Sequence, residues 1–540
     1  MKIAGHIVDV RNRRIFKGVL HIAGAKIQEI EEREDVPAQF IMPGFIDSHV
    51  HIESAMLVPS EFARLAVVHG TVAIVSDPHE IANVLGVEGV NYMIENGQKV
   101  NFKFFFGAPS CVPPTSFETA GAVIDAQDIK SLMARKEIKY LAEMMNWPGV
   151  LNDDPEVLEK INAAHDLGKP VDGHAPGLRA EQAESYIKHG ISTDHECFTA
   201  EEARDKLKHQ MKIAIREGSA AKNFDALVEL FSDYPELLMF CSDDKHPDNL
   251  VEGHINQLVK RALAAGHGFY DVLHAACVLP IDHYGLEVGT LQVGEPADFV
   301  IYPNLSDWVP QATYINGIKV AQSGKTLIES QETPLVNQFN CRPIEKSQLE
   351  IEYIGKQIKV IEALDGQLIT NALHFSPKVA AGKIVSDTER DLLKLVLVNR
   401  YHDAPPAISF IKNIQLKSGA IASSVGHDSH NIIAVGVHDE DIMQAINLII
   451  EAKGGISAVD GAEEALLPLP VAGLMSDQDG YEVAAAYTKI DLLAKNMGST
   501  LNSPFMTLSF MGLLVIPHLK LSDKGLFDGN LFSFTSIFED

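Results

Sequence analysis

The chain has 540 residues, 46% of them hydrophobic, which is enough for roughly three domains of about 150 residues with buried cores. Its 45 basic and 73 acidic side chains give a net charge of −28, which argues against nucleic acid and anionic membranes as partners. No apolar run approaches the roughly 20 residues of a membrane span, and the start lacks a signal peptide's apolar stretch. Five scattered cysteines, odd in number, favour reduced thiols and a cytoplasmic location.

The first 40 residues contain short strand-like runs, and a different rhythm follows them. Short apolar strands then alternate with amphipathic stretches, which is typical of βαβ units. Eight such strands are predicted at residues 45–51, 71–77, 102–106, 140–144, 171–174, 192–195, 211–216 and 237–243. Eight strand–helix units over this length predict a (β/α)8 barrel, closed by a helix at residues 249–265.

A second group of strands follows the barrel. Residues 294–302 and 314–321 predict a strand and a hairpin, with Asn316-Gly317 as the turn. We expect them to join residues 1–40. The sequence therefore predicts an α/β protein with four segments. They are a small β-sandwich domain built from both flanks of the barrel (residues 1–43 and 291–335), the barrel itself (44–290) and a C-terminal α/β domain (336–540).

Polar side chains accumulate where the predicted barrel strands end. His49 and His51 lie on the same face of the first strand, because successive strand residues point to opposite faces. Later strand ends carry further histidines and carboxylates: Asp77, His79, Glu80, Glu143, Asp172, His174, Asp194, His195, Glu196, Asp243, Asp244 and His246. Because the carboxyl ends of barrel strands share one rim, these side chains are expected to meet there.

Four histidines and two carboxylates from five strand ends suit two divalent metal ions, with Glu143 as a possible bridge. Imidazole and carboxylate ligands together fit Mn²⁺, Fe²⁺ or Zn²⁺ better than Ca²⁺ or Mg²⁺. A simpler interpretation exists for each residue taken alone. Glu143 could pair with a lysine, and Asp243-Asp244 could cap a helix. Coincidence at successive strand ends is what favours a metal centre.

Longer motifs carry a resemblance. The segment from Pro43 to His51, together with His174, His195 and Asp243, resembles the amidohydrolase superfamily. Within that superfamily, six further stretches resemble the adenine deaminase family, at residues 50–56, 75–81, 143–149, 173–176, 418–424 and 426–431. The resemblance implies His49, His51, His174, His195 and Asp243 as metal ligands, with Glu143 where many relatives use a carboxylated lysine. Lys139 lies before its strand end, in agreement with that substitution.

The resemblance also implies adenine as the substrate, hypoxanthine and ammonia as products, and two divalent ions, Mn²⁺ first among them, as cofactors. The expected partner is a small molecule, with no nucleic acid and no membrane, in a homo-oligomer. Asp243 and Glu143 are the predicted catalytic residues, Asp243 as proton acceptor from the attacking water. His79, Glu80, Asp244 and His246 are predicted to contact the substrate, and the first three are alternatives as the donor to N1 of the purine.

Three other functions were weighed against this one. Zinc nucleobase deaminases carry H-x-E and a later P-C-x-x-C, and the second half is missing here. Another binuclear amidohydrolase acting on a cyclic amide would use the same barrel and metals. A non-catalytic barrel would not need a full ligand set. In the C-terminal part, His427 and His430 could form a second metal site or reach the barrel mouth, but a stabilising polar turn is the favoured interpretation.

Overall fold

The computed structural model describes residues 1–539, so Asp540, the last residue of the predicted C-terminal domain, lies outside the described residues. The chain begins with four strands of a small sheet. They are β1 (Lys2–Asp9), β2 (Arg14–Ala23), β3 (Lys26–Glu32) and β4 (Phe40–Pro43). The hairpins β1–β2 and β2–β3 are antiparallel, and β4 runs parallel to β1.

Eight parallel strands follow, each buried throughout except at its first residues. They are β5 (Phe45–Val50), β6 (Thr71–Ser76), β7 (Lys103–Ala108), β8 (Ile138–Met144), β9 (Val171–Gly173), β10 (Thr193–Asp194), β11 (Lys212–Arg216) and β12 (Leu238–Cys241). A parallel bridge from Val171 to Ile191 joins β9 to the β10 segment, and one from Val50 to Asp243 closes the ring. The predicted (β/α)8 barrel is therefore confirmed, with all eight strands in place.

Helices connect the strands and surround the barrel. They are α1 (Pro59–Ala66), α2 (His79–Leu85), α3 (Val87–Gly97), α4 (Ala126–Met133), α5 (Trp147–Leu151), α6 (Pro155–His165), α7 (Ala180–Lys188), α8 (Ala200–Leu207), α9 (Phe224–Leu227), α10 (Pro247–Glu252), α11 (Ile255–Ala264), α12 (Phe269–Leu273) and α13 (Leu279–Tyr284). The single helix predicted at residues 249–265 is wrong. The chain is extended at Gly253, and the next residue, His254, turns inward so that its Nε2 lies 2.8 Å from Asp47 Oδ2.

Four more strands complete the small sheet, as predicted. They are β13 (Phe299–Tyr302), β14 (Ala312–Ile315), β15 (Ile318–Gln322) and β16 (Lys325–Thr326). The strand β13 pairs with β4, which joins both flanks of the barrel in one eight-stranded sheet. One face, with Val8 and Val300, packs on the barrel, while the other, with Ile7 and Phe299, encloses a core of its own. Asn316 and Gly317 form the hairpin turn at positive φ, the conformation that favours this pair.

The C-terminal part has a largely antiparallel eight-stranded sheet, two smaller sheets of two and three strands, and three helices. Its strands are β17 (Ile358–Ala363), β18 (Thr370–Phe375), β19 (Lys378–Ala380), β20 (Lys383–Val385), β21 (Leu393–Val398), β22 (Ala407–Lys412), β23 (Ala420–Ser423), β24 (Ile432–Gly436), β25 (Gly455–Asp460), β26 (Glu463–Pro468), β27 (Leu519–Ser522), β28 (Gly525–Asp528) and β29 (Ser533–Phe534). Its helices are α14 (Asp439–Ala452), α15 (Gly480–Asn496) and α16 (Pro504–Ser509). The apolar face of α14, including Ile442 and Ile446, packs on this sheet.

The C-terminal part lies against the barrel and shares its core. Arg64 of α1 donates to Asp479 over 2.6 Å, and the Thr119 hydroxyl donates to Asp523 over 2.7 Å. Apolar side chains of both parts, such as Phe62 and Phe505, belong to one buried cluster. Among residues 1–539, no helix combines the length and apolar character needed to cross a membrane.

Candidate active site

Two histidines from the first barrel strand open the site. His49 lies in β5 and His51 directly follows it, and strand alternation places both imidazoles on one side, with their Nε2 atoms 3.1 Å apart. His51 Nδ1–H donates to the carbonyl oxygen of Asp77 over 3.1 Å, because a carbonyl can only accept. This bond leaves the Nε2 lone pair of His51 free for a ligand.

Glu143, near the end of β8, lies between this pair and two further histidines. Its Oε1 is 3.4 Å from His51 Nε2, and its Oε2 is 2.8 Å from His174 Nδ1 and 3.2 Å from His195 Nε2. Burial opposes the charge of Glu143, but His174 and His195 outweigh burial and hold its pKa well below the ordinary value. Lys139 points away from these histidines, with its Nζ 3.3 Å from Glu287 Oε2.

His174 and His195 follow β9 and β10 directly. The His195 ring stacks on that of His49 with centroids 4.0 Å apart, and its backbone carbonyl accepts from Asn223 Nδ2 over 2.9 Å. His174 Nε2 is buried and has no hydrogen-bond partner within the protein. These rings therefore converge from neighbouring strand ends onto the Glu143 carboxylate.

Asp243, just beyond β12, faces the same histidines. Its Oδ1 is 3.1 Å from His51 Nε2 and 3.7 Å from His49 Nε2. The residue has φ +53°, a left-handed conformation that costs a non-glycine residue free energy. The Asp243 N–H donates to the carbonyl of His49 over 3.0 Å, and this bond helps to hold the unusual backbone in place.

Arg216, the last residue of β11, was missed by the sequence analysis. Its Nη1 donates to Asp243 Oδ2 over 2.6 Å, and its Nη1 and Nη2 both pair with Glu196. Burial opposes the charge of Asp243, but Arg216 outweighs it and lowers the Asp243 pKa well below its ordinary value. The sequence does show a charged residue at the end of an apolar strand. Its partner Asp243, however, lies 27 residues away, so no local pattern connects the two.

His79 begins α2 beside the cluster. Its Nδ1 is 3.0 Å from Asp77 Oδ2 and 3.3 Å from Glu143 Oε1, and its Nε2 is 3.4 Å from Glu80 Oε1. The ring is thus anchored on one side by two carboxylates. Only its Nε2 side is directed toward Glu80.

Glu80 connects the barrel to the C-terminal part. His427 Nδ1 forms an ion pair with Glu80 Oε1, and His430 Nε2 lies 2.5 Å from Glu80 Oε2. Burial opposes protonation of His427, but Glu80 and Asp244 outweigh it and raise its pKa to about 9. The interpretation of His427 and His430 as a polar turn of their own domain is wrong, because both reach the barrel mouth.

Two further carboxylates lie beside His427. Asp244 Oδ1 accepts from Ser54 Oγ over 2.5 Å and is 3.9 Å from His427 Nε2. Asp428 is 3% exposed, and burial raises its pKa to about 6. Asp428 was not singled out as a substrate contact from the sequence, because nothing in its own domain indicates that the segment faces the barrel.

His246 does not line the cavity, contrary to the predicted substrate contact. It precedes α10, and its ring packs edge-on against Tyr487 with centroids 4.6 Å apart. Its backbone N–H donates to Ser219 Oγ over 2.8 Å. Burial lowers its pKa to about 3. The prediction failed because the chain turns at Asp243 and directs His246 into the interface between the barrel and α15.

The ligand cluster, defined as His49, His51, Glu143, His174, His195 and Asp243, has the donor set of a metal centre. Several groups of these and adjacent buried side chains have ligand atoms within 4.8 Å of one another. They include His49 with His195 and Asp243, Glu143 with His174 and His195, and His51 with Asp77, His79 and Glu143. Because Glu143 belongs to two groups and His174 Nε2 lacks a protein partner, the residues fit metal binding.

A cavity with about 310 Å³ of atom-free space lies over the ligand cluster. Met145 of the barrel forms part of its apolar wall. The rest of that wall and part of its polar lining come from the C-terminal part, in a set that we term the cover: Leu368, His427, Asp428, Phe510 and Leu513. The cavity thus combines a carboxylate and imidazole floor with apolar walls, which is typical of a site for a small, flat, polar-edged molecule.

Comparison with known proteins gives matches over nearly the whole chain. The family model described as "Amidohydrolase family" matches residues 40–327, and the one described as "Adenine deaminase C-terminal domain" matches residues 367–533. An adenine deaminase from Salinibacter ruber is 52% identical over 540 residues, covering 100% of this chain and 99% of the relative. One from Methanosarcina mazei is 50% identical over 553 residues, covering 100% of both.

Solved structures give more distant matches. N-acetyl-D-glucosamine-6-phosphate deacetylase from Mycobacterium smegmatis is 15% identical with a TM-score of 0.46. The match covers 59% of this chain and 100% of that one.

Proposed function

The chain belongs to the adenine deaminase family of amidohydrolase enzymes, and we propose that it hydrolyses adenine to hypoxanthine and ammonia at the ligand cluster. The observation that carries the proposal is the full-length identity of about half to curated adenine deaminases, combined with the ligand cluster at the floor of a cavity lined by the barrel and the cover. The proposal keeps the domain limits predicted from the sequence, with the barrel at residues 44–290 and the C-terminal domain at 336–540.

The cofactors proposed are two divalent ions, with Mn²⁺ favoured over Fe²⁺ and Zn²⁺. His49, His51 and Asp243 would hold one, His174 and His195 the other, and Glu143 would bind both. The supporting geometry is that the two Glu143 oxygens face opposite groups of histidines. When bound, such ions make a water acidic enough to attack a ring carbon near neutral pH.

Asp243 is proposed to take the proton from the attacking water and to return it to the departing amine. Its Oδ1 lies on the cluster side, 3.1 Å from His51, while Arg216 occupies Oδ2. Arg216 therefore orients the carboxylate and keeps it ionised until the proton arrives. Glu196 holds Arg216 in turn.

Three groups are candidates for protonating N1 of the purine: His79, Glu80 and Asp244. His79 is held on one side by Asp77 and Glu143, and Asp244 accepts from Ser54. Glu80 is paired with His427, and although burial opposes its charge, His427 and His79 hold the pKa of Glu80 well below its ordinary value, so Glu80 would have to take a proton before it could donate one to N1. We propose that one of these three groups protonates N1.

The physiological part of the proposal is purine salvage in the cytoplasm by a homo-oligomer. All five cysteines are free, and four of them are buried, which suits a reducing compartment. The expected ligand is free adenine, with neither nucleic acid nor membrane as a partner. Light scattering of the purified protein checks the oligomeric state.

The test of the activity is an assay of purified protein with adenine and, separately, with a hydantoin and a dihydropyrimidine. We expect stoichiometric hypoxanthine and ammonia from adenine, loss of activity after chelation and recovery with Mn²⁺. Turnover of the cyclic amides, with adenine left intact, would favour the other binuclear amidohydrolase function instead. Full activity with less than about half an equivalent of any transition metal would exclude the metal-dependent account.

A further inference from the structure

A buried carboxylate of the cover has an oxygen with no partner. Asp428 lines the cavity and is 3% exposed, and its Oδ2 accepts no hydrogen bond from the protein. Its Oδ1 lies 4.0 Å from His79 Nε2 and 3.9 Å from His427 Nδ1, beyond hydrogen-bond distance. Burying a carboxylate without donors costs free energy, which a ligand carrying an N–H group would recover.

Two neighbouring carboxylates find donors inside the protein, whereas Glu80 Oε2, in the lining of the same cavity, accepts no hydrogen bond. Glu118 accepts hydroxyl hydrogen bonds from both Thr115 and Ser429, and Asp244 accepts from Ser54. Glu118 does not line the cavity over the ligand cluster. Some buried carboxylates near the barrel mouth therefore have hydrogen-bond donors, while Asp428 has none. Asp428 also differs from Glu118 because it faces the cavity.

The walls beside Asp428 suit a flat ring. Phe510, Leu513 and Leu368 of the cover and Met145 of the barrel line the same cavity. These side chains offer no charge, so they can contact ring faces but cannot bond to a ring edge. Ring-edge recognition must come from polar groups such as Asp428.

Resting on the proposed deamination of adenine, we propose that Asp428 accepts the N–H of the five-membered ring of the purine and so selects the free base over the nucleoside. Free adenine has one such hydrogen. In adenosine the ring nitrogen carries ribose, so the hydrogen that Asp428 would accept is absent. An ionised carboxylate only accepts, which matches a donor on the ligand.

The test compares Asp428→Asn with Glu118→Gln, a matched loss of a buried carboxylate outside the cavity. Each variant is assayed with adenine and with a purine isostere of the same size, an aminopyrazolotriazine, whose bridgehead nitrogen leaves no ring N–H. For Asp428→Asn we expect kcat/KM for adenine to fall about 10- to 100-fold, mainly through KM. The inhibition constant of the isostere should change less than about threefold, since it never used Asp428. Glu118→Gln should leave both values within about threefold of wild type.

Metal analysis of the same preparations separates the outcomes. Unchanged metal content with the selective loss for adenine supports the role of Asp428. Equal losses for adenine and the isostere would overturn the proposal in favour of a structural role, and loss of metal from Asp428→Asn would make the residue a ligand. If wild-type protein turns over no adenine, the proposed function fails, whereas a wild-type rate with no effect of Asp428→Asn overturns this inference alone.

Discussion

The ligand cluster and the cover meet at one cavity but are built differently. Residues of the ligand cluster come from neighbouring strands and are held by the barrel itself, as Arg216 holds Asp243 and Asp77 holds His51. The cover reaches the cavity from residues 368 to 513, all more than 100 residues beyond Asp243, the last residue of the ligand cluster. We propose that the barrel fixes the chemistry, while the C-terminal part selects the molecule that binds there.

Glu143→Gln tests the ligand cluster and has the largest expected effect. The variant keeps the shape but removes the charge between two groups of histidines, so both cations should be held poorly. We expect activity to fall by about two or more orders of magnitude, together with metal content measured by mass spectrometry. Lys139→Gln, at the outer end of the same strand, is the control. A variant with wild-type metal content and rate would return Glu143 to a structural role.

Asp243→Asn and Asp244→Asn separate two adjacent carboxylates, of which only Asp243 is assigned to proton transfer. Asn at position 243 can still bind a cation through oxygen but cannot take a proton, so kcat should fall about 100-fold or more while KM changes little. Asp244→Asn should act mainly on KM. Steady-state kinetics with adenine distinguishes the two residues. If Asp244→Asn abolishes turnover while Asp243→Asn keeps nearly the wild-type rate, the assignment is reversed.

His427→Gln tests whether the cover acts without touching the metals. Removing the imidazolium leaves Glu80 without its charged partner, so kcat/KM for adenine should fall about 10- to 100-fold at unchanged metal content. His438→Gln is the matched control, because His438 is exposed in the same part of the chain. If His427→Gln loses half of its metal, the division between ligand cluster and cover is incorrect.

Glu118→Gln sharpens the comparison through stability and has the smallest expected effect on activity. Burial raises the pKa of Glu118 to about 8 from the model-compound value of 4.5. Between these values the folded protein binds the extra proton and the unfolded chain does not, so this carboxyl destabilises the fold as pH rises from about 4.5 to about 8. Gln has no such titration.

As pH rises through that range, the free energy of unfolding of Glu118→Gln should therefore increase relative to that of wild type. The increase should reach up to about a few kcal/mol, the order expected for a buried acid. Chemical denaturation at several pH values checks the trend. Glu329→Gln, at an exposed position, should show no such gain. A constant difference between Glu118→Gln and wild type at every pH would show that Glu118 titrates normally in the folded protein.

The strand-end histidines and Glu143 were predictable because barrel topology brings successive strand ends to one rim. No information beyond the order of strands was needed to place His49, His174 and His195 together. The resemblance implied Glu143 in the place of a carboxylated lysine, and Lys139 contacts Glu287 instead.

Other features depend on contacts that no local pattern encodes. Arg216 is understood only through Asp243 and Glu196, which lie on different strand ends. His246 was misplaced because the positive φ of Asp243 redirects the chain after β12. The position of His427 and Asp428 depends on how one domain docks on another, which periodicity and spacing do not specify.

We propose that Glu143 lies between two metal ions at the rim, beneath the cover. Anomalous X-ray diffraction from crystals of the Mn²⁺-loaded protein, recorded at the manganese absorption edge, tests it most directly. We expect two anomalous peaks on opposite sides of the Glu143 carboxylate, one beside His49 and His51 and the other beside His174 and His195. A single peak away from Glu143, or none in a fully active preparation, would contradict it.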